Sequence, residues 1–369
     1  MNEKKDLWHY PRKELANQIM ALFENGLSSS FIFFAQRRMG KTEFLRKDML
    51  PVAESKGWNV LYFSFLDAAD KPVDQFRKAL EKYINNRGII SKIKTAAKKI
   101  SKINAGISKV NAGLEFNQPE KVDLDIKELL GTLARMGNTL LLMDEVQALA
   151  AHKKNDVFIA SFRTALDIHK DNIKVIFTGS SQSGLRKMFS QAKAPFFHFG
   201  QNLNFPELDQ KFTDHLCKVF KLATTRNIDP QKLWEIFLEM DRVPLLIRSV
   251  VERMALNPGL SIKDAQAELK AEIFGNREFK ERWDNFSDLE RHLLIAITHD
   301  VTQLFSAETR KSFAEKINLE DLPIYTLQAP VKKLLRQGIV GKSEERAAYF
   351  IDDPNFKNWI LINSEDFEN

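Results

Sequence analysis

The sequence has few of the residues that form disulfide bonds or bind transition metals in secreted and metal-dependent domains. Its 369 residues include one cysteine, Cys217, which excludes an internal disulfide framework and a zinc site built from cysteines. The seven histidines are scattered without the spacing of a transition-metal site, and no G-x-S-x-G nucleophile elbow occurs. No apolar run approaches the roughly 18 residues needed to span a bilayer, and the N-terminus lacks a hydrophobic signal core. We therefore expect a cytoplasmic protein with no integral membrane association.

The sequence does contain enough apolar residues for several hydrophobic cores, and its charge is unevenly distributed along the chain. Apolar residues make up 44% and charged residues 28%, which is the balance of a globular protein, and the length predicts two or three domains. The net charge is +6, but residues 286–369 carry 10 Lys/Arg and 14 Asp/Glu. The densest basic run, residues 87–114, holds seven basic residues and no carboxylate. A basic balance permits an anionic partner without identifying one.

Strand and helix patterns alternate through the first 205 residues. Short apolar runs predict strands at 28–36, 58–65, 138–143, 173–178 and within 195–205. Helical patterns predict helices at 15–23, 40–50, 73–86, 120–136, 156–169 and 181–191, with Pro51 ending the second. This alternation predicts an α/β domain over 1–205, a doubly wound parallel sheet covered by helices on both faces.

The remaining chain reads as two further units. Residues 206–285 show helical patterns without strands, at 208–222, 230–240, 243–256 and 262–281, which predict an all-α domain. Residues 286–369 show three helices, at 287–299, 306–317 and 322–337, followed by a hairpin-like stretch. Three helices and a hairpin are typical of a winged-helix domain.

A candidate phosphate site lies where the first strand meets a helix. The segment Ala35-Gln-Arg-Arg-Met-Gly-Lys-Thr42 fits the phosphate-loop pattern G-x-x-x-x-G-K-[ST], except that Ala35 replaces the first glycine. In such a loop, backbone N–H groups surround phosphate oxygens, Gly40 lets the chain turn close to them, Lys41 reaches the β- and γ-phosphates and Thr42 ligates Mg²⁺. The alternative is a chance GKT at the start of a helix.

Two later strands end in residues that fit the same chemistry. The run TLLLM leads directly into Asp144 and Glu145, an acidic pair suited to holding Mg²⁺ and activating water. The run VIF leads into Thr178, whose hydroxyl would lie between the other two strand ends in a doubly wound sheet. The alternatives are an acidic helix cap and an ordinary strand-to-helix turn.

With these motifs the sequence resembles the AAA+/STAND class of P-loop ATPases, and within it the archaeal-type ATPase family. The resemblance rests on FFAQRRMGKTEFL, TLLLMDEVQAL and VIFTGSSQSGLRKMF, and it covers the key motifs of residues 7–205. It implies an AAA+ core over 1–205 with a basic insertion at about 87–116, a helical lid over 206–285 and a winged helix over 286–369, in the order of origin-recognition ATPases.

The resemblance also assigns roles to residues. The ATP-binding set is Ala35, Gln36, Arg37, Arg38, Met39, Gly40, Lys41, Thr42 and Glu43, with Arg12 near the base. The implied metal ligands are Thr42 and Asp144, Glu145 is the implied catalytic base, and Thr178 takes the sensor-1 position.

Arginines are the least settled part of this assignment. Arg186 is the candidate arginine finger acting on a neighbouring subunit in an ATP-dependent homo-oligomer, and Arg163 is its rival. In the lid, Arg242 stands where relatives sometimes carry a sensor-2 arginine, but the glycine of their turn is absent. For the two finger candidates, a solvated helix charge is an equally simple explanation.

Two features bear on the output of such an ATPase. Lys332, Lys333 and Arg336 on the third helix, and Lys342 and Arg346 in the hairpin, could contact double-stranded DNA, although this unit is net acidic. Within 87–116, isoleucines recur at spacings of three and four among lysines, which fits a packed helix, a DNA-facing insertion or a membrane-surface helix. We expect a slow or partner-stimulated ATPase switch that binds ATP, ADP and Mg²⁺ and acts with DNA; the alternative is a signalling ATPase that holds a protein partner.

Overall fold

The computed structural model describes residues 6–68, 71–86, 125–151, 155–180, 199–275, 277–342 and 348–367, with the isolated positions 185, 188, 189, 194, 196 and 197. The main sheet consists of β1 (Ser30–Phe34), β2 (Asn59–Ser64), β3 (Thr139–Asp144), β4 (Ile173–Gly179) and β5 (Gln201–Asn204). Its helices are α1 (Lys13–Glu24), α2 (Lys41–Phe44), α3 (Leu50–Ser55), α4 (Pro72–Asn85), α5 (Ile126–Arg135) and α6 (Asp156–Ile168). The predicted basic insertion at 87–116 and most of the predicted helix at 181–191 lie outside the described residues.

The five strands form one parallel sheet in the order β2-β3-β4-β1-β5. Strands β3 and β4 are buried along their whole length, as expected for a sheet covered on both faces. Alternate residues face two separate cores, one beneath α1 and α3 and one beneath α4, α5 and α6. Because parallel strands end at the same edge, the carboxyl ends of β3, β4 and β1 lie side by side. The predicted α/β fold is confirmed.

Two helix predictions need correction. Pro51 does not end its helix: a π-helical turn at Leu45–Met49 precedes it, and the helix resumes as α3. The wider turn accommodates the missing proline N–H, which in a regular helix would leave a carbonyl unpaired. The predicted helix at 262–281 is two helices, because the backbone N–H of Gly275 caps the end of the first and the second starts at Arg277.

The region after β5 is helical throughout its described part. Its helices are α7 (Gln210–Thr224), α8 (Pro230–Glu239), α9 (Pro244–Leu256), α10 (Ile262–Phe274) and α11 (Arg277–Asp284). Side chains of Asp209, Asp229 and Ser261 cap three of these N-termini, which explains where the helices begin.

The last region contains the three predicted helices, a hairpin and one helix that the sequence analysis missed. These elements are α12 (Asp288–Thr298), α13 (Ala307–Lys316), α14 (Ile324–Arg336), β6 (Val340–Lys342), β7 (Tyr349–Ile351) and the unpredicted α15 (Pro354–Phe367). Helix α15 packs on α10 and α12, so one apolar core continues from the sheet through residues 206–285, called the lid region below after the prediction, into the C-terminal region, residues 286–369. Among the described helices, none has the length and apolarity to cross a bilayer.

Candidate functional site

The phosphate-loop segment connects β1 to α2 at the carboxyl edge of the sheet. Gly40 has φ +86° and caps α2, a left-handed conformation that favours glycine. Arg38 is also left-handed, with φ +68°, whereas Ala35 is not among the residues with positive φ. The missing first glycine is therefore tolerated, because this loop makes its left-handed turns at Arg38 and Gly40.

Lys41 is folded back into this loop. Its Nζ donates to the carbonyl oxygens of Ala35, at 2.7 Å, and Gln36, at 2.8 Å, and the residue is 4% exposed. Burial lowers the pKa of the ammonium, opposed by the nearby carboxylates of Glu145 and Asp144. The group is a strong donor held beside the turn at Gly40, where it can exchange carbonyl oxygens for phosphate oxygens.

A cluster of oxygen atoms surrounds Asp144 at the end of β3. Thr42 Oγ1 donates to Asp144 Oδ2 over 2.6 Å, Tyr62 donates its hydroxyl to the same oxygen over 3.0 Å, and Thr178 Oγ1 donates to Oδ1. The predicted trio Thr42, Asp144 and Thr178 is thus brought together by α2, β3 and β4. Tyr62, on β2, was not predicted, because its hydroxyl reaches Asp144 only through the pairing of β2 with β3.

The cluster suits Mg²⁺, and the fit can be judged from the donors themselves. Thr42 and Asp144 offer a hydroxyl and a carboxylate, the hard oxygen ligands that Mg²⁺ takes in small number while it keeps waters and substrate phosphates. Among the described residues there is no group of three or more His, Cys, Asp or Glu that could hold a metal without such help. The site could hold Mg²⁺ together with a nucleotide.

Glu145 is held by two side chains from neighbouring turns. Its Oε2 accepts a hydrogen bond from Ser180 Oγ, at 2.8 Å, and another from Gln147 Nε2. The backbone of Glu145 is left-handed, with φ +52°, an unusual conformation for this residue type. A Cβ atom at Gly179 would lie 2.5 Å from Gln147 Oε1, so a larger residue at this position would displace the Gln147 side chain. Gln147 and Ser180 were not predicted to hold the candidate base.

Glu43 is the centre of a charge network. Its carboxylate pairs with Lys47 at 2.7 Å, Arg248 at 2.9 Å and His9 at 3.6 Å. Burial favours the neutral acid, but the hydrogen bonds and charges of these three groups outweigh it and hold the pKa of Glu43 far below its usual range. The predicted phosphate-loop residue Glu43 therefore fastens α2 to the N-terminal segment and to α9.

Arg248 is the most important site residue that the sequence analysis missed. It lies on α9 of the lid region and lines the same cavity of about 560 Å³ as Lys41, Thr42 and Glu145. Its Nη2 donates to the carbonyl oxygen of Trp8 over 3.0 Å. Its position one helical turn after Pro244 was the only available signal.

Two of the other candidate arginines, Arg242 and Arg163, are engaged elsewhere. Arg242 pairs with Glu207 at 3.0 Å and lies over the ring of Trp234. Arg163 donates to the carbonyl of Phe197 over 2.8 Å. Arg186 and Arg346 lie outside the described residues.

Arg12 lies beside the phosphate loop, on the side of α1. Its guanidinium donates to the carbonyl of Pro206 over 2.6 Å and lies 4.3 Å from the ring centre of Phe205. Burial lowers its pKa to about 10, against the opposing charge of Asp48. A small cavity lined in part by Arg12 and Met39 opens here, next to Gly40.

Comparisons with known proteins place the fold. No protein-family model and no curated protein sequence matches the chain. Among solved structures, a Walker-type ATPase of Pyrococcus abyssi matches 97% of this chain over 97% of its own, with a TM-score of 0.63 and 18% identity. The ORC2 protein of Aeropyrum pernix, in its ADPNP–ADP complexes, matches 99% of this chain over 98% of its own, with a TM-score of 0.52 and 13% identity. This chain therefore has the AAA+ P-loop α/β fold of these structures along almost its whole length.

Proposed function

We propose that this chain is a Mg²⁺-dependent ATPase switch of the AAA+/STAND type, slow on its own or stimulated by a partner. The observation that carries the proposal is the convergence of Thr42, Asp144 and Thr178 next to Lys41 and Glu145, at the edge of one cavity. Each of these residues supplies one function that phosphoryl transfer to water requires.

The proposed chemistry assigns a step to each side chain. Lys41 leaves the loop carbonyls to bind the β- and γ-phosphate oxygens, and Thr42 and Asp144 hold the metal. A Mg²⁺ ion held there would supply positive charge that offsets the charge of the β- and γ-phosphates. Glu145 accepts a proton from the water that attacks the γ-phosphorus, and the bond to the bridging oxygen of ADP breaks. Because Ser180 and Gln147 both donate to Glu145 Oε2, they would orient the carboxylate, and Oε1 would be the oxygen that accepts the proton.

The nucleotide is proposed to lie between the core and the lid region. The small cavity at Arg12 and Met39 lies next to the loop that binds the phosphates; at about 20 Å³ it would have to widen, by movement of the lid region, to receive the base. Arg248 would then link the bound phosphates to the position of the lid region, because α9 places its side chain in the cavity. The A. pernix ORC2 protein, solved with ADPNP and ADP, supports nucleotide binding by this fold.

DNA is the first proposed partner. Lys332 is exposed on α14, and Arg336 lies one turn further along the same helix, so both could reach a phosphate backbone. The C-terminal region would then be a winged helix with α14 as its recognition helix. The basic segment 87–116 is a second proposed DNA contact from the sequence alone, and Arg186 stays the predicted finger in a homo-oligomer.

A protein partner is the second candidate, and one contact favours it. The ammonium of Lys333 pairs with Glu290 on α12 at 2.7 Å, so this candidate DNA contact is already engaged within the domain. Residues 286–369 also carry four more acidic than basic residues, which opposes non-specific binding to DNA.

Replacing Lys41 tests the nucleotide site. Lys41→Ala is expected to abolish binding of mant-labelled ATP and ADP, because it removes the main cation of the loop. The matched control is Lys311→Ala, which removes an exposed lysine from α13. Wild-type affinity in the Lys41 variant would refute the site.

Replacing Glu145 tests the hydrolytic step. Glu145→Gln is expected to bind ATP and to lose about 10²-fold or more in turnover, as is typical when a general base is removed. Undiminished turnover would show that another group activates the water.

Partner choice is tested by steady-state ATP hydrolysis across protein and salt concentration, with and without duplex DNA. Stimulation that falls steeply with salt and weakens in a Lys332→Ala, Arg336→Ala variant would support the DNA switch. Turnover indifferent to DNA, with no DNA binding at low salt, would favour the protein partner.

A further inference from the structure

The C-terminal region contacts the phosphate loop directly. Gln36 Nε2 donates to the carbonyl of Ile351 over 3.5 Å, and Arg38 pairs with Asp353 at 3.2 Å. The rings of Phe34 and Phe350 lie 6.1 Å apart, which joins the end of β1 to β7. The end of the hairpin and the start of α15 thus form a wall along the loop, although more than 300 residues separate the two in sequence.

Asp352 stands in the middle of this wall as a buried carboxylate. It is 4% exposed, and its Oδ1 has no hydrogen-bond partner among the described residues. It interacts electrostatically with Arg37 and Lys41, which attract it, and with Glu145, which repels it. Burial raises the pKa of Asp352 to about 7, with Arg37 and Lys41 opposing the shift. An ionised carboxyl in such a place is costly unless cations compensate it.

The interactions of Asp352 with Lys41 and with Glu145 indicate where it lies relative to a bound nucleotide. In the proposed ATPase, Lys41 reaches the β- and γ-phosphates and Glu145 faces the water that attacks the γ-phosphorus. A carboxylate that interacts with both lies on the γ-phosphate side. ATP brings additional negative charge to that side, whereas ADP ends one phosphate earlier. Repulsion between like charges is strong in a water-poor site.

We propose that Asp352 is a specificity-determining residue that lowers the affinity for nucleoside triphosphate relative to diphosphate while the C-terminal region is docked on the loop. The proposal rests on the nucleotide site proposed above. The γ-phosphate and the carboxylates of Asp352 and Asp353 compete for the same three cations, Arg37, Arg38 and Lys41. Because the two equilibria are linked, bound triphosphate lowers the equilibrium constant for docking by the same factor by which docking lowers the affinity for triphosphate.

Nucleotide titrations of the full-length chain test the proposal. Dissociation constants are measured for mant-ADP and mant-AMPPNP with Mg²⁺, for the wild type and for Asp352→Asn. At pH 8, above the raised pKa of Asp352, mant-AMPPNP is expected to bind up to about tenfold tighter in the variant, equivalent to about 1.4 kcal/mol, with much less change for mant-ADP, because protonation of the wild-type carboxylate limits the repulsion. The control is Asp300→Asn, which removes an exposed carboxylate from the same region at a left-handed position that asparagine tolerates.

A second variant keeps the test decisive if Asp352→Asn does not fold. Asp353→Asn removes a partly exposed partner of Arg38 and is expected to move the ratio of the two affinities in the same direction, because it weakens the docking that places Asp352. An unchanged ratio in whichever of these variants folds, or an equal change for both nucleotides, would overturn the role of Asp352 and leave the nucleotide site intact. A wild-type chain that binds neither nucleotide would overturn both proposals.

Discussion

Asp144 shows how much of the site's geometry depends on single hydroxyl groups. Three hydroxyls donate to its two carboxylate oxygens, from Thr42, Thr178 and Tyr62. The tyrosine is the one that comes from outside the motifs, and its ring lies 5.5 Å from the guanidinium of Arg46. Burial, together with the charge of Asp144, raises the pKa of Tyr62, so the hydroxyl stays protonated and donates at every physiological pH.

Removing this hydroxyl is expected to weaken the metal-dependent part of nucleotide binding. A hydrogen bond to a charged group contributes about 1.5–3 kcal/mol, so Tyr62→Phe is expected to raise the Mg²⁺ concentration for half-maximal tightening of mant-ADP binding about tenfold or more. Affinity in EDTA is expected to stay at the wild-type value, because the loop itself is unchanged. Tyr325→Phe, which alters a 70% exposed ring, is the control. An unaltered Mg²⁺ dependence would show that Thr42 and Thr178 suffice to orient Asp144.

The extent of sequence-based prediction also becomes clear from individual residues. Lys41, Thr42, Asp144 and Thr178 could be found because each directly follows a strand or loop of recognisable pattern. Arg248 could not, since it meets Glu43 across 205 positions and only the packing of the lid brings them together.

Among the elements, the N-terminal segment before α1 is fastened to the helix that follows the phosphate loop. His9 Nε2 lies 3.0 Å from Asp48 Oδ1, and the same oxygen accepts the backbone N–H of Arg12 over 3.1 Å. Burial opposes the charged imidazole, but Asp48 and Glu43 outweigh it and raise the pKa of His9 to about 9. At neutral pH this histidine is therefore a cation that ties two elements together.

The sign of the resulting pH dependence follows from this raised pKa. The ordinary pKa of histidine is about 6.5, so the stability that His9 contributes is fully present below that pH and is lost as pH rises towards 9. Urea unfolding of the wild type and of His9→Gln is expected to differ most at pH 6 and least above pH 9. A difference that is constant across this range would mean that the imidazole contributes by packing alone.

Prediction of the elements succeeded where a pattern was local and failed where it depended on the rest of the molecule. Strands β3 and β4 could be predicted because each is a continuous apolar run. The continuation of a helix through Pro51 could not be predicted, because it depends on a π-helical turn that has no recognisable sequence pattern. Helix α15 was missed because its apolar residues serve contacts with α10 and α12 rather than a simple stripe.

At the level of the whole molecule, the lid region and the C-terminal region share one aromatic cluster. Trp359 of α15 lies 5.8 Å from Trp283 and stacks on Phe356 at 5.9 Å, while Phe279 packs 5.3 Å from Phe356. A further ion pair joins Lys357 to Asp241 at 2.8 Å. The predicted boundary at 285–286 therefore runs through a common core.

Truncating this core is expected to destabilise both regions together. Trp359→Ala is expected to lower the free energy of unfolding by about 3–5 kcal/mol, the usual range for a large buried aromatic side chain. Trp359 is 2% exposed, so no partial exposure reduces the effect. In urea titrations followed by hydrogen exchange, amides of α10 and of α12 are expected to lose protection at the same denaturant concentration. Separate transitions would mean that the two regions are independent folding units.

Because the lid region and the C-terminal region share this aromatic cluster, we expect the two to move together as one rigid arm. One end of this arm carries Arg248 into the nucleotide cavity, and another presses Asp352 against the phosphate loop. In the proposed ATPase, the stiffness of this arm would determine how far the effect of one phosphate group extends through the molecule.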